Sequence, residues 1–130
     1  MADVKVILYP GPMDMMLKSP VGEVGRFLAG RARLIVTGAK RQVGKKTGKL
    51  QGSIHSRQSR TAYGQMAWIG STVEYALAHH EGTKPHIIRP DKAKALRFTA
   101  GSRVIYSRAV KHPGTRANRY LKDQLYIAVL

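Results

Sequence analysis

A chain of 130 residues and 14.4 kDa has material for one domain with one modest core and too little for two. Hydrophobic residues make up 43% of it, enough to bury a core and avoid disorder. The longest apolar runs, Val6 to Tyr9 and Tyr126 to Leu130, fall far short of the roughly 20 residues that cross a bilayer, so no membrane partner is expected. Cysteine is absent, which excludes a disulfide framework and a thiolate metal site. The first residues place Asp3 and Lys5 among valines, unlike the basic region and apolar core of a secretion signal; a soluble, intracellular product is expected.

Charge is the second large fact. Twenty-three Lys plus Arg against seven Asp plus Glu give +16 and a pI near 10.7. No acidic residue occurs from Val24 to Val73, where Arg26, Arg31, Arg33, Lys40, Arg41, Lys45, Lys46, Lys49, Arg57 and Arg60 all fall. Such a field concentrates polyanions and makes association salt-dependent. A solvated surface, or a patch that meets an acidic partner subunit, would use the same residues.

In chain order, Val4, Val6 and Leu8 alternate with Lys5 and Ile7, predicting an opening strand closed by Pro10-Gly11-Pro12. Ser19-Pro20 reads as an N-cap followed by proline at the first helical position, with Glu23 in the first turn. Val21, Val24, Leu28, Ala32 and Ile35 then recur at spacings of three and four, widened by Phe27 and Leu34. This predicts an amphipathic helix ending near Gly38, which packing must hold because Gly22, Gly25 and Gly30 each weaken it by up to about 1 kcal/mol.

A polar, basic loop is expected from Ala39 to Lys49, followed by a β-hairpin made of Leu50 to Ser56 and Met66 to Ile69, joined through Ser59 to Gly64. Val73 to His80 would make two helical turns stopped by Gly82. Ala95 to Thr99 and Arg103 to Ser107 predict a second hairpin around Ala100-Gly101-Ser102. Leu121, Leu125, Ala128 and Val129 mark a C-terminal helix. The fold class expected is α+β: a small, mostly antiparallel set of hairpins packed against one long helix in the N-terminal half and a C-terminal helix, all in a single domain.

Catalytic patterns fail on spacing. Leu34 to Gly38, followed by Ala39 to Val43 and Gly44-Lys45-Lys46-Thr47, approaches a phosphate-binding loop. A working one has four residues between its glycines and a hydroxyl directly after the lysine to reach magnesium. Here there are five, and Lys46 takes the hydroxyl position. His80, His86 and His112 could converge with Glu81 on a metal, but adjacent His79 and His80 point about 100° apart on a helix and match no zincin pattern. Ser53 near His55 is a spacing any strand produces, and Asp91 and Asp123 have no nearby carboxylate in sequence. Trp68 lies in an alternating apolar strand and is expected in the core. The expectation is a protein that is not an enzyme, with no cofactor and no metal.

One long segment carries the remaining information. Tyr75-Ala76, Glu81 to Pro90 (EGTKPHIIRP), Lys94 to Phe98 (KALRF) and His112 to Arg116 (HPGTR) resemble, in order, the signature of the tail-component or neck protein family of long-tailed bacteriophages, typified by gene product ten of a lambdoid phage. Thr47-Gly48-Lys49-Leu50 before Ser53-Ile54 is similar to that family's loop ahead of its first hairpin, and the resemblance spans roughly residues 45 to 125.

The resemblance implies a virion protein of the head-to-tail connector, made and assembled in the host cytoplasm. It would act in tail completion or as a tail terminator, in a homo-oligomeric ring through which double-stranded DNA passes. A hexamer is favoured over a dodecamer, with neighbouring connector proteins and the tail tube as partners. Tyr75, Gly82, Thr83, Lys84, Pro85, His86, Ile88, Pro90, His112, Pro113, Gly114, Thr115 and Arg116 would then be subunit-interface residues. On this reading, replacing Gly82 or Pro85 damages assembly more than monomer folding. Lys40, Arg41, Lys45, Lys46 and Lys49 would face DNA in the channel or an acidic partner. The alternative is a basic protein that binds nucleic acid without sequence preference.

Overall fold

The structure is a computed structural model that describes residues 5–7 and 9–129. These divide into two compact units: one formed by the chain up to Ala76 together with Arg119 onward, the other by Leu77–Asn118.

Within the first unit, Val4 and Leu8 of the expected opening strand lie outside the described residues, and 5–7 take no regular structure. Pro10-Gly11-Pro12 does not close a strand. It opens helix α1, Pro10–Lys18, with Tyr9 as N-cap. Proline suits a first turn because the N–H it lacks has no partner within the helix there. Ser19 correspondingly ends α1, its N–H donating to Met15 O at 3.2 Å, and does not cap the next helix. That helix, α2, spans Glu23–Gln42 with Gly22 as N-cap. It passes through Gly38 and runs four residues beyond it, so Lys40 and Arg41 lie in its last turn and not in a loop.

Only part of the expected apolar stripe of α2 faces inward. Gly25, Ala32, Ile35 and Ala39 are buried, whereas Phe27 and Leu34 stay 57% and 54% exposed on the opposite side. Small residues seven apart, at 25, 32 and 39, are what other elements approach closely. A Cβ on Gly25 would lie 2.6 Å from the Pro20 carbonyl oxygen. The Gly25 carbonyl itself accepts from Gln58 Nε2 at 3.1 Å.

After the loop at 44–48 comes a short helix, α3, Lys49–Ser53, where the sequence predicts strand. Gly48, at φ 78°, provides the left-handed entry, and Gln51 Nε2 donates to Lys40 O at 2.9 Å, tying α3 to the end of α2. The first hairpin follows as predicted in kind: β1, His55–Arg60, pairs antiparallel with β2, Gln65–Gly70, with Arg57 opposite Trp68 and Gln58 opposite Ala67. Opposite residues share a face, and faces alternate along the strand. Gln58 and Ala67 therefore look toward α2, and Arg57 and Trp68 look away from it. Trp68 is 62% exposed, which corrects its assignment to the core: alternation identifies two faces but not which is covered.

The core of this unit gathers Ala39, Val43, Leu50, Ile54, Ala76 and Tyr120, flanked by Val36, Val73 and Leu121. Tyr120 is 1% exposed and its hydroxyl donates to Ala76 O at 3.2 Å. The C-terminal helix is of 3-10 type, Lys122–Val129, and is anchored by Gln124 Nε2 donating to Gln42 Oε1 at 2.8 Å.

The second unit begins in α4, Ala76–Glu81, which stops at Gly82 (φ 75°) as expected. Two further antiparallel pairs occur among its described residues: β3, His86–Ile88, with β6, Val110–His112, and β4, Leu96–Ala100, with β5, Arg103–Ser107. The second is the predicted hairpin, turning at Gly101 (φ 63°). The observed class is α+β.

Candidate functional site

The two segments that carried the sequence argument lie against each other. His86 pairs with His112, Ile87 with Lys111 and Ile88 with Val110, and the ladder resumes at Thr83 opposite Thr115. There the two backbones exchange N–H···O bonds of 3.0 and 3.1 Å, and the two hydroxyls lie 3.0 Å apart. The register explains the residue order. Thr83-Lys84-Pro85-His86 is the reverse of His112-Pro113-Gly114-Thr115 in its threonine, proline and histidine, and antiparallel pairing sets like against like. Pro85 and Pro113 fall opposite each other at positions where neither offers an N–H. This mirror order was a signal available in the sequence, and reading each motif as a separate turn missed it.

Close approach is enforced by two glycines. Gly82 and Gly114 sit at φ 75° and 86°. A Cβ on Gly82 would lie 2.6 Å from Thr115 O and 2.7 Å from Ala117 N, and one on Gly114 would collide with Thr83 O. Two imidazoles complete the joint, with ring centroids 5.0 Å apart. His86 Nδ1 donates to Lys84 O at 2.8 Å, whereas His112 Nδ1 accepts from Gly114 N–H at 3.0 Å. The rings therefore hold opposite tautomers when neutral.

Of the four candidate metal ligands, His86 and His112 are brought together, while buried His80 is engaged by Glu81 at 2.7 Å. No group of three or more His, Cys, Asp or Glu side chains is placed to hold a metal ion among the described residues. Of the remaining interface candidates, Lys84, Pro85, Ile88, Pro113 and Arg116 are exposed, Pro90 is half-buried, and Tyr75 is exposed just ahead of α4. The motif residues that touch one another are thus Gly82, Thr83, His86, His112, Gly114 and Thr115, together with the backbone of Lys84 and Pro85. Lys84, Pro85, Pro113 and Arg116 point their side chains into solvent.

In the first unit the basic set is split between elements. Arg41 ends α2, Lys45 and Lys46 lie in the following loop, and Lys49 opens α3, all exposed, with Lys40 half-buried. Among the described residues the ion pairs are Asp14 with Lys18, Glu23 with Arg26 and His80 with Glu81, and none involves these five. A second surface, absent from the sequence-level candidates, is the outward face of β1 and β2. There Trp68 and Arg57 share an open groove of about 540 Å³ with His55, Ser59, Ser71 and Thr72.

Comparison with protein-family models, curated proteins and solved structures found no match. What the geometry offers among the described residues is contact: a closely packed double loop, exposed cations and exposed apolar side chains.

Proposed function

We propose that this chain is a non-enzymatic structural subunit that assembles with copies of itself into a ring of the bacteriophage head-to-tail connector, around the path of double-stranded DNA. The observation that carries this reading is apolar exposure: among the described residues Phe27, Leu34, Trp68, Ile87, Tyr106 and Tyr126 are each more than half exposed, surface of the kind that contacts with neighbouring copies cover. The resemblance of residues 45 to 125 to the neck family supports the same reading.

Light scattering combined with imaging of the purified chain, alone and with tail tubes, tests it. Closed rings of uniform size with a central opening are expected. A chain that stays monomeric in both conditions would refute the proposal.

The basic cluster suits non-specific, mobile contact with phosphates in such a channel. Replacing Arg41, Lys45 and Lys46 together by Gln is expected to lower the slope of log affinity for duplex DNA against log salt by up to ~2.7, about 0.9 per lost contact. Because the three side chains are exposed, denaturant midpoints should move by less than about 0.5 kcal/mol. An unchanged salt slope removes these residues from the DNA path.

One observation favours the second reading, a free nucleic-acid-binding protein. Trp68, exposed beside Arg57 on a face without carboxylates, is a surface on which a base could stack. The chain has a single tryptophan, so its fluorescence reports that surface directly. Under the connector reading, single-stranded oligonucleotides leave the emission of Trp68 unchanged, whereas ring assembly is read by scattering alone. Saturable, salt-sensitive quenching by a monomer would favour the rival.

A further inference from the structure

The groove on the outward face of β1 and β2 holds about 540 Å³, within the roughly 300–1,000 Å³ that ligand clefts span. One residue opens it. Side chains of one face recur every second residue along a strand, so Gly70 is the next position after Trp68 on that face, opposite His55. A Cβ built on Gly70 meets nothing within 4 Å; the space beside Trp68 is the side chain that Gly70 lacks. Trp68 forms an exposed wall. Its cross-strand partner Arg57 is exposed as well and enters none of the ion pairs among the described residues. β1, β2 and the turn between them contain no Asp or Glu. At the far end Ile69, Gly70, Ser71 and Thr72 line the groove in unbroken succession, so both faces of that strand end border it, with the main chain between them. β2 pairs with β1 alone among the described residues, which leaves its other edge without a partner strand.

We propose that this groove is the docking site for an extended, acidic segment of a partner protein, with an apolar side chain seated beside Trp68 and a carboxylate at Arg57. Charge complementarity and main-chain chemistry choose that occupant. A guanidinium without a carboxylate of its own gives the groove a positive sign, which an acidic segment matches. A second copy of this chain offers few carboxylates, seven acidic residues in 130, so the complement lies on a different chain. A nucleic-acid strand requires cations that track its backbone. Of the outward positions His55, Arg57, Ser59, Met66, Trp68 and Gly70, only Arg57 is a fixed charge. The N–H and C=O groups of an open strand edge are matched by another peptide, and a phosphodiester chain carries no such ladder. Trp68 is on this inference covered by the partner and not by a second copy, so the inference does not depend on the ring reading.

The test is titration of the full chain, followed by the emission of Trp68, the only tryptophan. The probes are a blocked ten-residue peptide with one Phe among Glu and Ser, the same peptide with Gln for Glu, and oligothymidylate. The variants are Arg57→Gln, Gly70→Leu and Arg60→Gln, the last removing one exposed charge from the opposite face of β1. Expected is saturable binding of the Glu peptide, about threefold weaker for Arg57→Gln, weaker on the order of tenfold for Gly70→Leu, whose side chain fills the groove, and unchanged for Arg60→Gln. The Gln peptide should bind more weakly than the Glu peptide. Hydrogen exchange of the unaltered chain covers the case in which Gly70→Leu fails to fold: amides of 69–72 should gain protection when the Glu peptide is added. A Glu peptide that leaves Trp68 emission and these amides unchanged overturns the inference, as does one that binds Gly70→Leu as well as wild type. Equal losses for Arg57→Gln and Arg60→Gln overturn it by making net charge the binder. Oligothymidylate that quenches Trp68 more tightly than the peptide, and loses this in Gly70→Leu, assigns the groove to nucleic acid and overturns it too. Ring assembly is scored by scattering, so neither result decides the other.

Discussion

Gly82→Ala and Gly114→Ala are each expected to cost the second unit about 3 kcal/mol and to release the β3–β6 joint. Two terms add. A left-handed φ costs a residue with a Cβ about 1 to 2 kcal/mol, and forcing a methyl into filled space costs about 1 to 3 kcal/mol more. The atoms it meets are backbone, Thr115 O and Ala117 N for Gly82 and Thr83 O for Gly114, which cannot swing aside as a flexible side chain would. Exchange of the Thr83 and Thr115 amides, which bond each other's carbonyls, should accelerate by about a hundredfold, while the first unit keeps its protection. Lys84→Ala, exposed between the two paired positions, should change stability by less than about 0.5 kcal/mol. Native exchange at Thr83 and Thr115 in Gly82→Ala would refute this account. The filled space around Gly82 thus predicts a direct cost to folding, beside which any effect on assembly has to be measured; Pro85, exposed to solvent, is not subject to that argument.

Tyr120→Ala is expected to cost the first unit about 3 to 5 kcal/mol, since a large side chain 1% exposed leaves a cavity that Ile54, Leu50 and Val43 around it fill only in part. Tyr120→Phe should cost about 1 kcal/mol, the worth of the hydroxyl's bond to Ala76 O. Burial raises the pKa of this phenol above 10.0, and the sign of the pH effect follows. Below about pH 10 both folded and unfolded chains hold the proton, and the contribution of Tyr120 is fully present. As pH rises past 10.0 the unfolded chain ionises first, so that stability drains away until the raised folded value is passed. Phe at this position has no proton to lose. Denaturant midpoints of wild type and Tyr120→Phe, compared from neutral to strongly alkaline pH, should therefore converge. Parallel curves would mean that Tyr120 ionises as freely in the folded chain as in the unfolded one.

Local rules were legible where one residue decides one conformation. Gly82 after α4 and Gly101 in the β4–β5 turn need left-handed φ, which glycine alone supplies readily, and both positions were readable. The long helix was readable from its period, and Ala32 and Ile35 of the expected stripe are buried, but the stripe was drawn too wide. Phe27 and Leu34 weigh more on a hydropathy scale than Gly25 and Ala39, yet close packing selected the small residues. Proline misled at Pro10-Gly11-Pro12, because its fixed φ suits both a turn and the first turn of a helix, and the sequence does not say which chain follows.

By itself, then, the sequence determined the class of the fold, the turns at Gly82 and Gly101 and the excess of positive charge, and it held, unread, the mirrored order of Thr-x-Pro-His and His-Pro-x-Thr that the pairing follows. These properties are local, or require only that like face like. Tertiary structure alone decided which faces are covered: that Trp68 looks outward and that Tyr120 fills the core. Burial is a property of what approaches a residue from far along the chain, and periodicity within an element carries no record of that neighbour.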